Sequence, residues 1–312
     1  MRRYLSLRLL QMIPVLIGVT TVVFLLVRLI PGDPATSMLG SRATPELIGR
    51  VRQQFGLDLP IWRQYVDYLG NVVRGNFGVS FFYQTAVSSI VSARILLTLE
   101  LIGYAALLSL LIAFPFATWA AMRRGGVADR IIRLFFAGSL GMPSFWLGIM
   151  LTLYLSVRAR IFPSTGAGVG FQDRLWHLTL PALTIAISIT PLLVRSLRSS
   201  VIEVVASDFV TTGRAAGLRP HQLLFSYILR NSLLPLVTVF SINLGWLIGG
   251  TVIVEQLFGL PGLGSLLITS ITTRDYGIIQ LVTLVFALIV LVVNLLTDLA
   301  YAVLDPRVSL AS

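Results

Sequence analysis

The chain has 312 residues, of which 56% are hydrophobic and only 12% charged, with a formal net charge of +11. Soluble domains carry about 25% charged residues, so this composition excludes an ordinary water-facing protein and points to lipid. All 24 basic residues are arginine and there is no cysteine, which excludes disulfides, thiolate metal sites and any Gly-x-x-x-x-Gly-Lys loop able to cradle phosphates.

Six apolar runs are long enough to cross a bilayer core, which takes about 20 helical residues. They lie at 9–30, 96–122, 131–157, 178–197, 233–254 and 278–303. The first follows Met1-Arg2-Arg3 but is too long for a signal core and lacks a small-residue cleavage site, so it reads as a retained span. Lipid offers the backbone no hydrogen bonds, so each run is expected to be a helix. Pro115, Pro143, Pro181 and Pro191 fall in or beside spans, as kinks or helix starts.

Between the first two spans, residues 31–95 form a long connection. Thr44-Pro45-Glu46 has the order of a helix start: a capping threonine, proline in the first turn and an acid at the positive end. Asp58 and Pro60 mark a second start, after which Trp62, Tyr65, Val66, Leu69 and Val73 recur at helical spacing. A turn-rich tail through Gly75-Asn76-Phe77-Gly78 follows.

The arginines are distributed unevenly. Arg2, Arg3 and Arg8 precede the first span; Arg123, Arg124, Arg130 and Arg133 join the second to the third; Arg195, Arg198, Arg214, Arg219 and Arg230 join the fourth to the fifth. The alternate loops hold fewer: Arg158, Arg160 and Arg174, then Arg274. The positive-inside rule therefore places both termini and the arginine-rich connections in the cytoplasm, and the 31–95 connection outside. The basic charge is accounted for by topology, with no soluble basic domain to hold nucleic acid.

The cytoplasmic connection at 198–232 is the most informative segment. Ser207 or Asp208 is positioned to cap a short helix that stops at Gly217, with Pro220 preventing continuation. An amphipathic stretch at 221–230 leads into the fifth span. Among polar groups in the spans, Glu100, Glu255 and Asp298 are expected near helix ends, where water or a local partner satisfies them. Asn243 lies deeper, and either lines a path or makes a helix-packing hydrogen bond.

In order along the chain, several motifs resemble the dipeptide/oligopeptide permease family of ATP-binding-cassette importers. They are Leu29-Ile30-Pro31-Gly32-Asp33-Pro34, Phe55-Gly56-Leu57-Asp58-Leu59-Pro60, the segment from Phe209 to Gly217, Leu229-Arg230-Asn231-Ser232-Leu233-Leu234-Pro235, and Glu255-Gln256-Leu257-Phe258-Gly259-Leu260-Pro261-Gly262-Leu263-Gly264. Arg274-Asp275-Tyr276, Asn294-Leu295-Leu296-Thr297-Asp298 and Leu304-Asp305-Pro306-Arg307 complete the set. Where permeases of this class at large show Glu-Ala-Ala, this chain reads Thr211-Thr212-Gly213; the peptide branch fits it better.

The resemblance implies an all-α polytopic membrane protein: six transmembrane helices around a type I importer permease core. Its parts are an N-terminal tail and first helix (1–30), an extracytoplasmic segment (31–95), a five-helix core (96–304) and a C-terminal tail (305–312). It implies a bacterial or archaeal cytoplasmic (inner) membrane location. Asp208, Phe209, Thr211, Gly213, Arg214, Ala215 and Gly217 then belong to the ATPase-coupling segment. Asn243 and Glu255 are candidates for the translocation path, and Asp33, Trp62 and Tyr65 for contact with a binding protein. The expected partners are a second permease chain as a heterodimer, one or two ATPase subunits, an extracytoplasmic substrate-binding protein and membrane lipid. ATP and Mg belong to the ATPase subunits, and no catalytic residue, cofactor or metal is expected in this chain. Peptides are the first cargo to consider, with nickel chelates, haem-like compounds or sugars as alternatives.

Two other classes fit less well. An intramembrane serine protease needs a Ser–His or Ser–Lys pair at membrane depth. Lysine is absent, and His177 and His221 fall at a span edge and in a loop. A channel or ion-coupled transporter is disfavoured by the lack of a clear internal repeat or a charged pore ring.

Overall fold

A backbone without water must close its own hydrogen-bond ladder, and the computed structural model is accordingly built of helices. It describes residues 2–29, 36, 44–54, 56–80 and 82–304. Among the described residues, extended pairing is confined to one isolated antiparallel bridge, Val79–Ala86. The helices are α1 (Arg2–Leu29), α2 (Pro45–Gln54), α3 (Ile61–Val73), α4 (Val87–Met122), α5 (Val127–Leu140) and α6 (Ser144–Arg158). They continue with α7 (Phe171–Val205), α8 (Asp208–Ala215), α9 (Pro220–Leu257), α10 (Leu263–Thr272) and α11 (Tyr276–Leu304). The last turns of α6 (Thr152–Arg158) and a stretch of α9 (Leu223–Leu229) are π-wound.

Among the described residues, five helices, α1, α4, α7, α9 and α11, are long and apolar enough to cross a membrane. The expected third span, 131–157, is not one helix. It breaks into α5 and α6, which meet at 109°. The cause lies in Gly141-Met142-Pro143. Pro143 lacks an N–H and holds an extended conformation at the start of α6 (φ −60°, ψ 140°), and a residue preceding proline is pushed out of helical geometry. Pro115, Pro181 and Pro191 lie inside helices.

The chain forms two compact units. The first comprises the chain through Thr98 and residues 261–291. Here α1 packs on α3: Phe24 meets Tyr65 edge-on and stacks on Tyr68, with ring centroids 5.1 and 5.6 Å away. Arg28 lies 3.6 Å over the Phe24 ring and donates to Gln64 Oε1. Burial, with Tyr65 alongside, pushes the Tyr68 hydroxyl up to about 12. Thr44 starts α2 as expected, its Oγ1 accepting from Leu47 N–H (3.4 Å). Gly75 and Gly78 take positive φ in the turn-rich tail. Val87 and Val91 pack with Leu263, Leu266, Ile278, Leu281 and Val282. Two polar ties complete this core: Ser80 Oγ donates to buried Asp275, and Thr98 Oγ1 accepts from Leu263 N–H at 2.8 Å, at the start of α10.

The second unit comprises residues 99–260 and the chain from Val292. At its centre is α7, the span with the largest buried share, packed along α5, α6 and α9. Gly148 lets α6 approach: a Cβ there would lie 2.5 Å from Leu257 Cδ2 and 3.2 Å from Thr184 Cγ2.

Candidate functional site

The segment that leaves α7 and enters α9 builds a small helix from its own sequence. Ser207 is the first residue outside α8 and has an extended conformation (φ −76°, ψ 153°). Its side chain does not cap the helix, contrary to expectation. Ser207 Oγ donates backward to Val204 O (2.6 Å), while the Ser207 carbonyl accepts from Val210 N–H and Thr211 N–H (both 3.2 Å). Nor does Asp208 cap from outside. It is the first residue of α8, with Arg214 in the last turn, an order that complements the helix dipole.

The C-terminus stops in a Schellman arrangement. Leu218 N–H donates to Gly213 O (3.1 Å) and Gly217 N–H to Arg214 O (3.0 Å). Gly217 takes φ +79°, a left-handed conformation that glycine adopts without penalty. Pro220 then opens α9 at its first helical position.

The helix has two faces. Val210 and Gly213, three residues apart, are buried, and α8 packs against the π-wound stretch of α9 through them. Asp208, Phe209, Thr211, Thr212, Arg214 and Ala215 are exposed. Phe209 leaves 45% of its surface uncovered on this open face. Gly213 therefore serves an internal contact rather than an approaching partner. In α9, Leu223, Ile228 and Leu229 are buried beneath.

The other expected residues lie elsewhere. Asn243 is buried in α9, where Nδ2 donates to Val239 O of the same helix (2.6 Å). Glu255 lies in the last turn of α9, near a helix end as expected, but it is fully buried and so away from water. Glu100, by contrast, is not at a helix end, because α4 begins at Val87. It lies inside α4 and meets Arg174 Nη1 of α7, 3.2 Å from Oε1 and 3.3 Å from Oε2. Tyr104 and Thr179 hydroxyls pair one turn further along (3.2 Å). On α3, Trp62 is 68% exposed, whereas the Tyr65 hydroxyl is engaged with Thr21. Asp33 lies outside the described residues.

The family described as binding-protein-dependent transport system inner membrane component matches residues 113–310, and its N-terminal companion matches residues 1–102. The chain belongs to this family. As an inner membrane component it is a multi-pass protein of the bacterial inner membrane. It is 37% identical to the oligopeptide transport system permease protein AppB of Bacillus subtilis over 314 residues, covering 99% of each chain. It is 34% identical to the glutathione transport system permease protein GsiC of Escherichia coli K12, again over 99% of each. Its fold is shared with the inward-facing MetNI methionine ABC transporter (TM-score 0.57, 17% identity), covering 69% of this chain and 95% of that one.

One arrangement in this permease was not legible beforehand. Asp129, at the start of α5, is buried and receives both Arg198 Nε and Arg198 Nη2 at 2.7 Å. Its only sequence signal is Arg133 four residues on, at 3.5 Å in the structure. In the sequence Arg198 carries only a topology signal.

Proposed function

We propose that this permease couples to a separate ATPase through the exposed face of α8 and passes peptides delivered by an external binding protein. The observation that carries the reading is the helix itself. A short, firmly anchored helix joins two spans and leaves Phe209 and Arg214 on its open side. Seated in a groove of an ATPase, such a helix acts as a lever: nucleotide-driven closure moves it, and the attached spans rock between two states. Phe209 supplies an apolar anchor, and Asp208 and Arg214 supply rim charges that select the partner.

The chain contributes no ATPase site of its own, since it has no lysine for a phosphate-cradling loop. ATP and Mg belong to one or two ATPase subunits, and a second, similar permease chain completes the path as a heterodimer. Both termini and α8 face the cytoplasm, following the arginine distribution. The segment at 31–95 faces outward, the five-helix core runs from 96 to 304, and the tail at 305–312 follows. Of the residues considered for binding-protein contact, Trp62 is the most available, because Tyr65 is taken up by α1. Asn243 and Glu255 remain path candidates, reached only where helix motion opens the buried face of α9. The names of the relatives, oligopeptide and glutathione permeases, favour a peptide cargo.

Purification of the chain from its own membrane, followed by mass spectrometry of its partners and of ligand in the binding protein, tests this reading. An ATPase subunit and bound peptide are expected. Transport by the chain alone, without ATP, would contradict it.

A further inference from the structure

Asp129 is a buried carboxylate whose two oxygens are both engaged. Arg198 grips it side-on, with Nε on Oδ1 and Nη2 on Oδ2, both 2.7 Å. Gly125 N–H donates to Oδ2 at 3.0 Å, and Arg133 Nε lies 3.5 Å from Oδ1. The Asp129 side chain is 1% exposed and that of Arg198 only 17%. A bidentate guanidinium–carboxylate pair fixes direction as well as distance, and a buried one is sustained only when its remaining hydrogen-bonding capacity is filled, as it is here.

The pair joins three pieces of chain. Asp129 lies in the first turn of α5, and Gly125 lies in the turn that ends α4. Arg198 lies on α7, within two turns of the tight Ala206-Ser207 connection to α8. The same α4–α5 turn and α8 border one open recess of about 640 Å³, lined by Arg123, Arg124 and Arg214 among others. The unpaired alternative is expensive: removing one partner leaves a charge buried without compensation.

We infer that Asp129 and Arg198 are positioning residues, a strut that makes α5 and the α4–α5 turn move with α7 when α8 is driven. This rests on α8 being the ATPase-docking helix. Without the strut, displacement of α8 is taken up by slippage between α5 and α7, and hydrolysis continues without doing work on the broken span. Nothing in the pair touches nucleotide or cargo; it acts by keeping two helices in register.

The chain has no cysteine, so Leu140→Cys and Glu203→Cys, both at exposed positions, place two spin labels, one on α5 and one on α7. The assembled complex, in lipid nanodiscs, is trapped with ATP and vanadate. With Asp129 intact, a single narrow label distance is expected with and without nucleotide. Asp129→Asn is expected to broaden it on trapping, and to cut the stimulation of ATP hydrolysis by the binding protein about tenfold while basal hydrolysis persists, a loss within the usual range of coupling between sites. Arg198→Lys keeps the charge but loses the fork, and reads out the same effect where the first variant assembles poorly. Merely lowered stability reduces the yield of complex without changing the stimulation per complex. An unchanged distance or an unchanged stimulation in both variants overturns the strut. Phe209→Asp separates the two readings: if it leaves stimulation intact, the α8 assignment falls; if it abolishes stimulation while Asp129→Asn does not, only the strut falls.

Discussion

Gly213 and Leu223 approach so closely that a Cβ at position 213 would lie 3.0 Å from Leu223 Cδ1, with Leu218 Cδ1 at 3.2 Å. This contact seats α8 on the π-wound start of α9. Gly213→Ala sets a gain in helix propensity of about 1 kcal/mol against crowding of two leucine side chains that can yield by a few tenths of an ångström. The expected result is near-normal assembly and ATPase stimulation. Gly213→Leu cannot be accommodated in this way. Overpacking costs about 1–3 kcal/mol, and faster hydrogen exchange across α8 is the expected readout.

At Gly217 the surrounding space is open, but φ is +79°. A β-branched residue there is strained by the backbone alone, at a cost of about 1–2 kcal/mol. Gly217→Val is therefore expected to fray the last turn of α8, whereas Gly217→Asn, which tolerates the left-handed region, disturbs it less. Amide exchange at residues 216–218 distinguishes the two. Equal protection in both variants would contradict the Schellman stop.

Gly148 tests the α6 packing. Its absent side chain leaves room for Leu257, Thr184 and Phe258. Gly148→Val should lower the thermal unfolding midpoint in detergent, corresponding to about 1–3 kcal/mol. Gly103, with nothing within 4 Å of a Cβ, is the control; Gly103→Ala should leave the midpoint unchanged or raise it.

The Glu100–Arg174 pair ties α4 to α7, with side chains 32% and 35% exposed. For a pair in contact with water, a double-mutant cycle with Glu100→Gln and Arg174→Gln should give a coupling of about 0.2–1 kcal/mol. A coupling of several kcal/mol would mean that a surrounding membrane dries this site.

Membrane crossings were legible because lipid leaves a chain few choices. Runs of apolar residues must be helices, so α1, α4, α7, α9 and α11 follow from composition and length. Helix ends were less legible. α4 starts at Val87 and α7 ends at Val205, since both helices continue past the apolar stretch on polar turns that carry no hydropathy signal. The α5–α6 break was present in Gly141-Met142-Pro143 but hidden by unbroken hydrophobicity around it. For the coupling segment, glycine and proline punctuation marked the end of α8 correctly. The cap at Ser207 failed because the serine hydroxyl found the Val204 carbonyl first, a local competition that residue type cannot resolve. Asp129 and Arg198, 69 positions apart, have no local pattern to connect them. Glu255 escaped for a related reason: its burial depends on which helices cover α9, a tertiary fact.

Docking of an ATPase on the outer face of α8 is probed most sharply by Phe209→Asp, with Arg214→Glu as a second variant. Both positions are exposed, so the isolated permease should fold and insert normally. An exposed aromatic at the centre of an interface contributes about 2 kcal/mol or more. The measurement is binding-protein-stimulated ATP hydrolysis, with retention of the ATPase subunit on the purified permease measured alongside. Loss of both is expected in Phe209→Asp, with Arg214→Glu weakening retention. Full stimulation and full retention in both variants would contradict that docking.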